Sequence, residues 1–295
     1  MRAGSRYLTI FKGRYIYNMK KKVNIPAVML AASVGVALIS VIARIILTLT
    51  QLDINYGVYK QGSTAPTVFH VALAVIALIF VIMAIRCAPN RGAKYTIPNS
   101  DLTVFGASVA GFVLIADFFF TVCDMYVSKS FNIRAPITFD TLELVFCIPA
   151  IIFFASFLFN MKKPTARAFL SFFPIAWCAT CLIRIYFDTT ALNTSPNKII
   201  GEIALLSAML YFLTESRFLI GIVSHRFYLA IATVAPILLI TSAIPNIFLS
   251  NMLSISNSDE FIRYAVDLAF AVFIWLRLAS YVCDKRAPSE GDPTK

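Results

Sequence analysis

Residues 20–49, KKKVNIPAVMLAASVGVALISVIARIILTL, set three lysines against a long apolar run that holds one charge, Arg44. A run of this length crosses the ~30 Å hydrocarbon core as a helix. In hydrocarbon a helix also satisfies its own backbone N–H and C=O groups, which an open extended segment does not. The pattern then recurs: after 25–49 come apolar stretches at 67–86, 102–124, 140–160, 168–188, 199–216, 227–248 and 261–282. Apolar residues make up 59% of the chain, and the mean hydropathy is +0.78. The expected fold is an all-α, polytopic integral membrane bundle of eight transmembrane helices.

The net charge of +11 is distributed by loop. Eighteen basic residues lie before the first stretch, after each even-numbered one and in the tail, among them Arg86, Lys162, Lys163, Arg167, Arg217 and Arg226. The alternate loops hold Lys60, Lys129, Arg134 and Lys198, with Arg263 just inside the last stretch. The positive-inside rule puts the richer side, and both termini, in the cytoplasm of a multi-pass cell-membrane protein. Charge arranged this way addresses a membrane and not a nucleic acid. Residues 1–24 form a basic leader in which Tyr7, Leu8, Phe11, Tyr15 and Met19 recur at helical spacing. Such a segment suits an interfacial helix on anionic inner-leaflet lipids. A membrane domain over 25–283 and a polar tail over 284–295 complete the chain.

Loops of about 10–20 residues leave no room for a nucleotide-binding domain. Neither GxxxxGK[ST] nor GxGxxG occurs, and HExxH, GxSxG and paired acidic DxxD clusters are absent too. With His70 and His225 as the two histidines, histidine-based metal chemistry is not expected, nor is any cofactor. Cys178 and Cys181 share a helix face and read as small buried hydrophobes.

Pro149, Pro174, Pro236 and Pro245 fall in or near the fourth, fifth and seventh stretches, and each removes a helix hydrogen bond. The Pro236–Pro245 pair makes the second half of the seventh stretch the place to expect broken helix. In the third stretch Gly106 and Gly111, with Ala107, Ser108 and Ala110, permit close helix approach. An Arg-Ile step at 44–45 and again at 184–185 hints at a four-plus-four repeat.

Topology assigns depth to the intramembrane charges. Arg44, Asp117, Arg184, Glu202 and Asp267 all fall in the outer half, with His70, Asp124, Glu143, Asp188 and Arg263 nearer its boundary. An ionised group in hydrocarbon costs at least about 2.5–3.5 kcal/mol, so these residues should turn inward, toward water or one another. The expectation is an outward-facing polar cavity with Arg44, Asp117 and Arg184 at its floor. Arg184–Asp188 and Arg263–Asp267 are i,i+4 pairs able to satisfy themselves locally. A closed interhelical ion network is the competing arrangement. Arg277 breaks the trend by lying toward the cytoplasmic side, where Glu215 has Arg226 or Arg277 as a partner and Gly221 lets the chain turn.

Three functions compete on these residues. A transporter or permease would bind a small polar or charged solute, Arg44 or Arg184 meeting an anionic group and Asp117 a cationic one. A sensor or noncatalytic subunit of a larger membrane complex would dock a protein partner on its basic cytoplasmic loops. A lipid-modifying enzyme ranks third, since no familiar catalytic spacing is present.

Overall fold

The computed structural model describes residues 24–53, 58–60, 62–87, 99–130, 137–159, 161, 163–187, 195–222, 224–253 and 258–284. The basic leader, Asp188 and the tail beyond Asp284 lie outside these residues. Helix α1 (Ile25–Gln51) leads into a short antiparallel hairpin, β1 (Leu52–Asp53) and β2 (Val58–Tyr59), in which Leu52 faces Tyr59. Then follow α2 (Ala65–Cys87), α3 (Asp101–Ser130), α4 (Ile137–Leu158), α5 (Pro164–Leu170), α6 (Phe172–Phe187), α7 (Pro196–Leu219), α8 (His225–Leu253) and α9 (Ser258–Cys283). With α5 and α6 forming one span, eight helices are long and apolar enough to cross a membrane.

Six helices form a closed circuit of neighbours. Helix α9 packs on α3, α3 on α4, α4 on α6, α6 on α7, α7 on α8, and α8 returns to α9. Helices α1 and α2 lie outside the circuit, both against α8. The outermost helix, α2, buries little beyond Pro66, Phe80 and Ala84, and it presents Val68, Val71, Val75, Leu78, Ile82 and Ile85 outward. An apolar surface on this scale calls for lipid rather than water.

Aromatic rings fill the middle of the circuit. Phe154 of α4 stacks on Phe270 of α9 at 5.6 Å and meets Phe273 edge-on at 5.1 Å. Phe212 of α7 closes on Phe270 at 5.2 Å, and Trp177 of α6 does so at 5.6 Å. Edge-to-face and offset contacts of this kind are the favoured ring geometries.

The small residues of α3 act as expected, most tightly at Gly106. A β-carbon there would stand 3.1 Å from the Phe273 backbone Cα and 3.2 Å from Leu276 Cδ1. Backbone cannot yield as a side-chain tip does, so α3 and α9 would have to separate. Gly106→Ala is expected to cost about 1–3 kcal/mol, read as a lower Tm of the detergent-purified protein. At Gly111 the nearest contact is an ordinary 3.5 Å to Phe154 Cβ, so Gly111→Ala should leave Tm unchanged or slightly higher.

Gly221 has φ +79°, a conformation that favours glycine. It closes α7 with the paired bonds Ile222 N–H to Arg217 O and Gly221 N–H to Phe218 O, both 3.0 Å, a Schellman ending. The expected break in the seventh span does not occur: α8 runs unbroken from His225 to Leu253 with Pro236 and Pro245 inside it. At Pro245 the orphaned carbonyl finds its partner on α1. Pro245 has no N–H to offer the Thr241 carbonyl one turn back, and Arg44 Nη1 donates to that oxygen instead.

Candidate functional site

Two polar centres occupy the half of the bundle that carries the β1–β2 hairpin. The first is an ion cluster shared by α3, α4, α6 and α9. Glu143 of α4 is 1% exposed, and its Oε2 accepts from Arg263 of α9 at 3.1 Å and from Arg184 of α6 at 3.3 Å. Arg184 also donates to Asp140 Oδ1 at 2.5 Å. Asp117 of α3, 1% exposed, is within electrostatic reach of Arg263 and of Asp267 one turn further along α9. Cys147, Cys178 and Cys181 are buried around these groups, as small hydrophobes should be. Two guanidinium groups thus meet Glu143 and Asp140 directly and Asp117 at longer range, while Asp267 stands beside Asp117.

The helix-local pairing does not form for Arg263, which crosses to Glu143 and not to Asp267. Arg184 crosses to α4, and its helix-local acid, Asp188, lies outside the described residues. Three helices converge at this height, so an acid on a neighbour lies in front of each guanidinium, whereas i,i+4 pairs with Arg first have the poorer geometry. Asp140 was not among the candidates read from the sequence. Its place in the first turn of α4 resembles an ordinary helix-start acid, and only its 7% exposure and the arriving Arg184 mark it.

The second centre is built around Arg44, which does not join Asp117 and Arg184. Arg44 is 0% exposed. Its Nη1 donates to the Thr241 and Ser242 carbonyls of α8, the latter at 3.1 Å. Its Nη2 donates to Asn197 Oδ1 of α7 at 2.9 Å and to Asn246 Oδ1 of α8 at 3.0 Å. Ser40 and Thr241 share a hydroxyl bond of 2.6 Å alongside. His70 of α2 and Tyr59 of β2 lie within electrostatic reach. Arg44 and Arg184 therefore share an Arg-Ile step but meet unlike partners, neutral oxygens in one case and carboxylates in the other.

Glu202 is half-buried, and no ion pair joins it to either centre among the described residues. Asp124, also half-buried, lies two turns beyond Asp117. Tyr211 and Trp177 belong to the packed core, while Tyr186 is 67% exposed.

The opposite half, where α1 begins and α9 ends, is closed by a buried pair. Arg277 Nε and Nη2 reach Glu215 Oε1 at 3.1 and 3.0 Å, both residues 0% exposed. Of the two partners available to Glu215, Arg277 is thus the one used. Arg167, counted above as a loop charge, is 7% exposed and ties off the end of α4. It donates to the Ser156 and Met161 carbonyls at 3.1 and 3.0 Å and lies 4.5 Å over the Phe157 ring.

Comparison with protein-family models, with curated proteins and with solved structures gives no match. The eight apolar helices are consistent with a multi-pass integral membrane protein.

Proposed function

We propose that the chain is a permease for a small polar or charged solute, in the cell membrane with both termini cytoplasmic, and that the ion cluster is its coupling site. The observation that carries this reading is the meeting of Asp140 and Glu143 with Arg184 and Arg263, with Asp117 within electrostatic reach of Arg263 and Asp267 beside Asp117, on four helices of the circuit. Intramembrane ionisable groups facing a bundle interior are the usual mark of an ion or proton path. An excess of acids over arginines leaves capacity for protons or a cationic group. The phenylalanine core and the Glu215–Arg277 pair separate this cluster from the other end, the arrangement expected of a path closed on the cytoplasmic side.

The test is uptake of labelled zwitterionic amino acids, mono- and dicarboxylates and polyamines into proteoliposomes under an inward proton gradient. Wild type is expected to accumulate at least one of these probes. Asp117→Asn is expected to lower that uptake at least tenfold with an unchanged gel-filtration profile. Full uptake by the variant would remove Asp117 from the coupling role. A second reading is a sensor or noncatalytic subunit of a larger membrane complex, favoured by the direct ion pairs that already engage Glu143. Wild type inactive with every probe, but copurifying in fixed ratio with another membrane protein, would establish that reading instead.

A further inference from the structure

The Arg44 centre contains a buried cation held by neutral oxygens alone. Among the described residues no carboxylate contacts it: the four Nη hydrogen bonds go to two backbone carbonyls and two asparagine side-chain oxygens. These bonds share out the guanidinium hydrogens but leave the charge uncompensated, and a buried charge without a counter-ion is costly. The same residues carry buried polar atoms that the described residues leave unbonded: Arg44 Nε, Asn246 Nδ2 and Ser242 Oγ have no hydrogen-bond partner among them. His70 Nε2, across on α2, is in the same condition. Two of these atoms are obligate donors, and the serine hydroxyl readily serves as a third.

A fixed positive charge and unused N–H groups on the side chains around it describe a receptor for an acceptor of negative charge. We infer that Arg44 and Asn246 form a binding site for a compact monoanion, with the anion on the Nε edge of the guanidinium that Nη2 shares. Charge-assisted bonds to an anion would satisfy the donors and neutralise the arginine together. A halide ion and the carboxylate of a small organic acid both have this chemistry. The site lies on α1 and α8, apart from the ion cluster, and does not depend on transport.

Thermal unfolding of the purified full chain in detergent tests the inference, with sodium isethionate holding ionic strength constant. Titration with sodium chloride or with sodium acetate is expected to raise Tm in a saturable way. A response to chloride alone identifies a halide site, and a response to acetate alone identifies a carboxylate site. Asn246→Asp supplies an internal counter-ion to Arg44. It is expected to have a higher Tm than wild type in isethionate and to lose the response to both anions. A wild-type Tm unmoved by either anion would show that water fills the site and would overturn the inference. A variant that responds as wild type does would overturn it too, by placing the anion elsewhere. Because the readout is stability, neither result bears on the uptake experiment.

Discussion

Arg277→Met is expected to destabilise the protein by about 3–5 kcal/mol, since removing one member of a buried pair strands the other as an uncompensated charge. Glu215 and Arg277 are both wholly buried, joined by two bonds to one carboxylate oxygen. Surrounding them are the Phe157 ring and the Tyr211 and Tyr228 hydroxyls, which can donate to a lone carboxylate but carry no charge to compensate it. For a chain of this size the loss corresponds to a fall in Tm on the order of 10 °C, measurable by thermal unfolding in detergent. The double variant Glu215→Leu/Arg277→Met carries no charge into the interior, and it should recover most of the loss. A single variant with an unchanged Tm would mean that water already reaches this pair.

Glu143→Ala should have a comparable effect, about 3–5 kcal/mol by the same reasoning. One carboxylate at 1% exposure holds Arg184 and Arg263 from two different helices, and its removal takes the Arg263 salt bridge and one of the two made by Arg184. Asp140→Ala should cost clearly less, because the Asp140 and Arg184 side chains are 10% and 27% exposed and the arginine keeps Glu143. Asp267→Asn separates two models of Arg263. If Arg263 depended on its helix-local acid, this change would match Glu143→Ala. With Glu143 as the partner, it should leave Tm unchanged or raised, since Asp267 lies within reach of Asp117, another acid. Thermal unfolding of the three variants side by side gives the order. Asp267→Asn as the most damaging of them would refute the interhelical assignment.

The eight long apolar helices were legible in the sequence because hydrocarbon leaves an apolar chain few choices. Each apolar stretch had to be a helix, and the loop charges divided the chain into eight without reference to packing. The small residues of α3 and the turn at Gly221 were also legible, since both follow from what glycine lacks. Intramembrane charges were visible one by one, and the sequence showed that most share one half of the bundle.

Partnership was not legible. Arg44, Asp117 and Arg184 looked like members of one floor because depth along the helix was all the sequence offered. Which side of each helix they occupy, and which helices are neighbours, depends on how eight rods pack. That packing divides them, Arg44 to α7 and α8 and the other two to the cluster around Glu143. Pro245 is the plainest case. Its missing N–H was written in the chain and pointed to a broken helix, yet the orphaned carbonyl is met by Arg44, nearly two hundred residues away. The sequence by itself determined eight apolar spans, the sidedness expected of them and the charges they carry into lipid, because those follow from solvent and local covalent structure. The tertiary structure alone decided which charges meet a carboxylate and which is left among neutral oxygens, because electrostatic partnership is a property of neighbouring helices and not of any one of them.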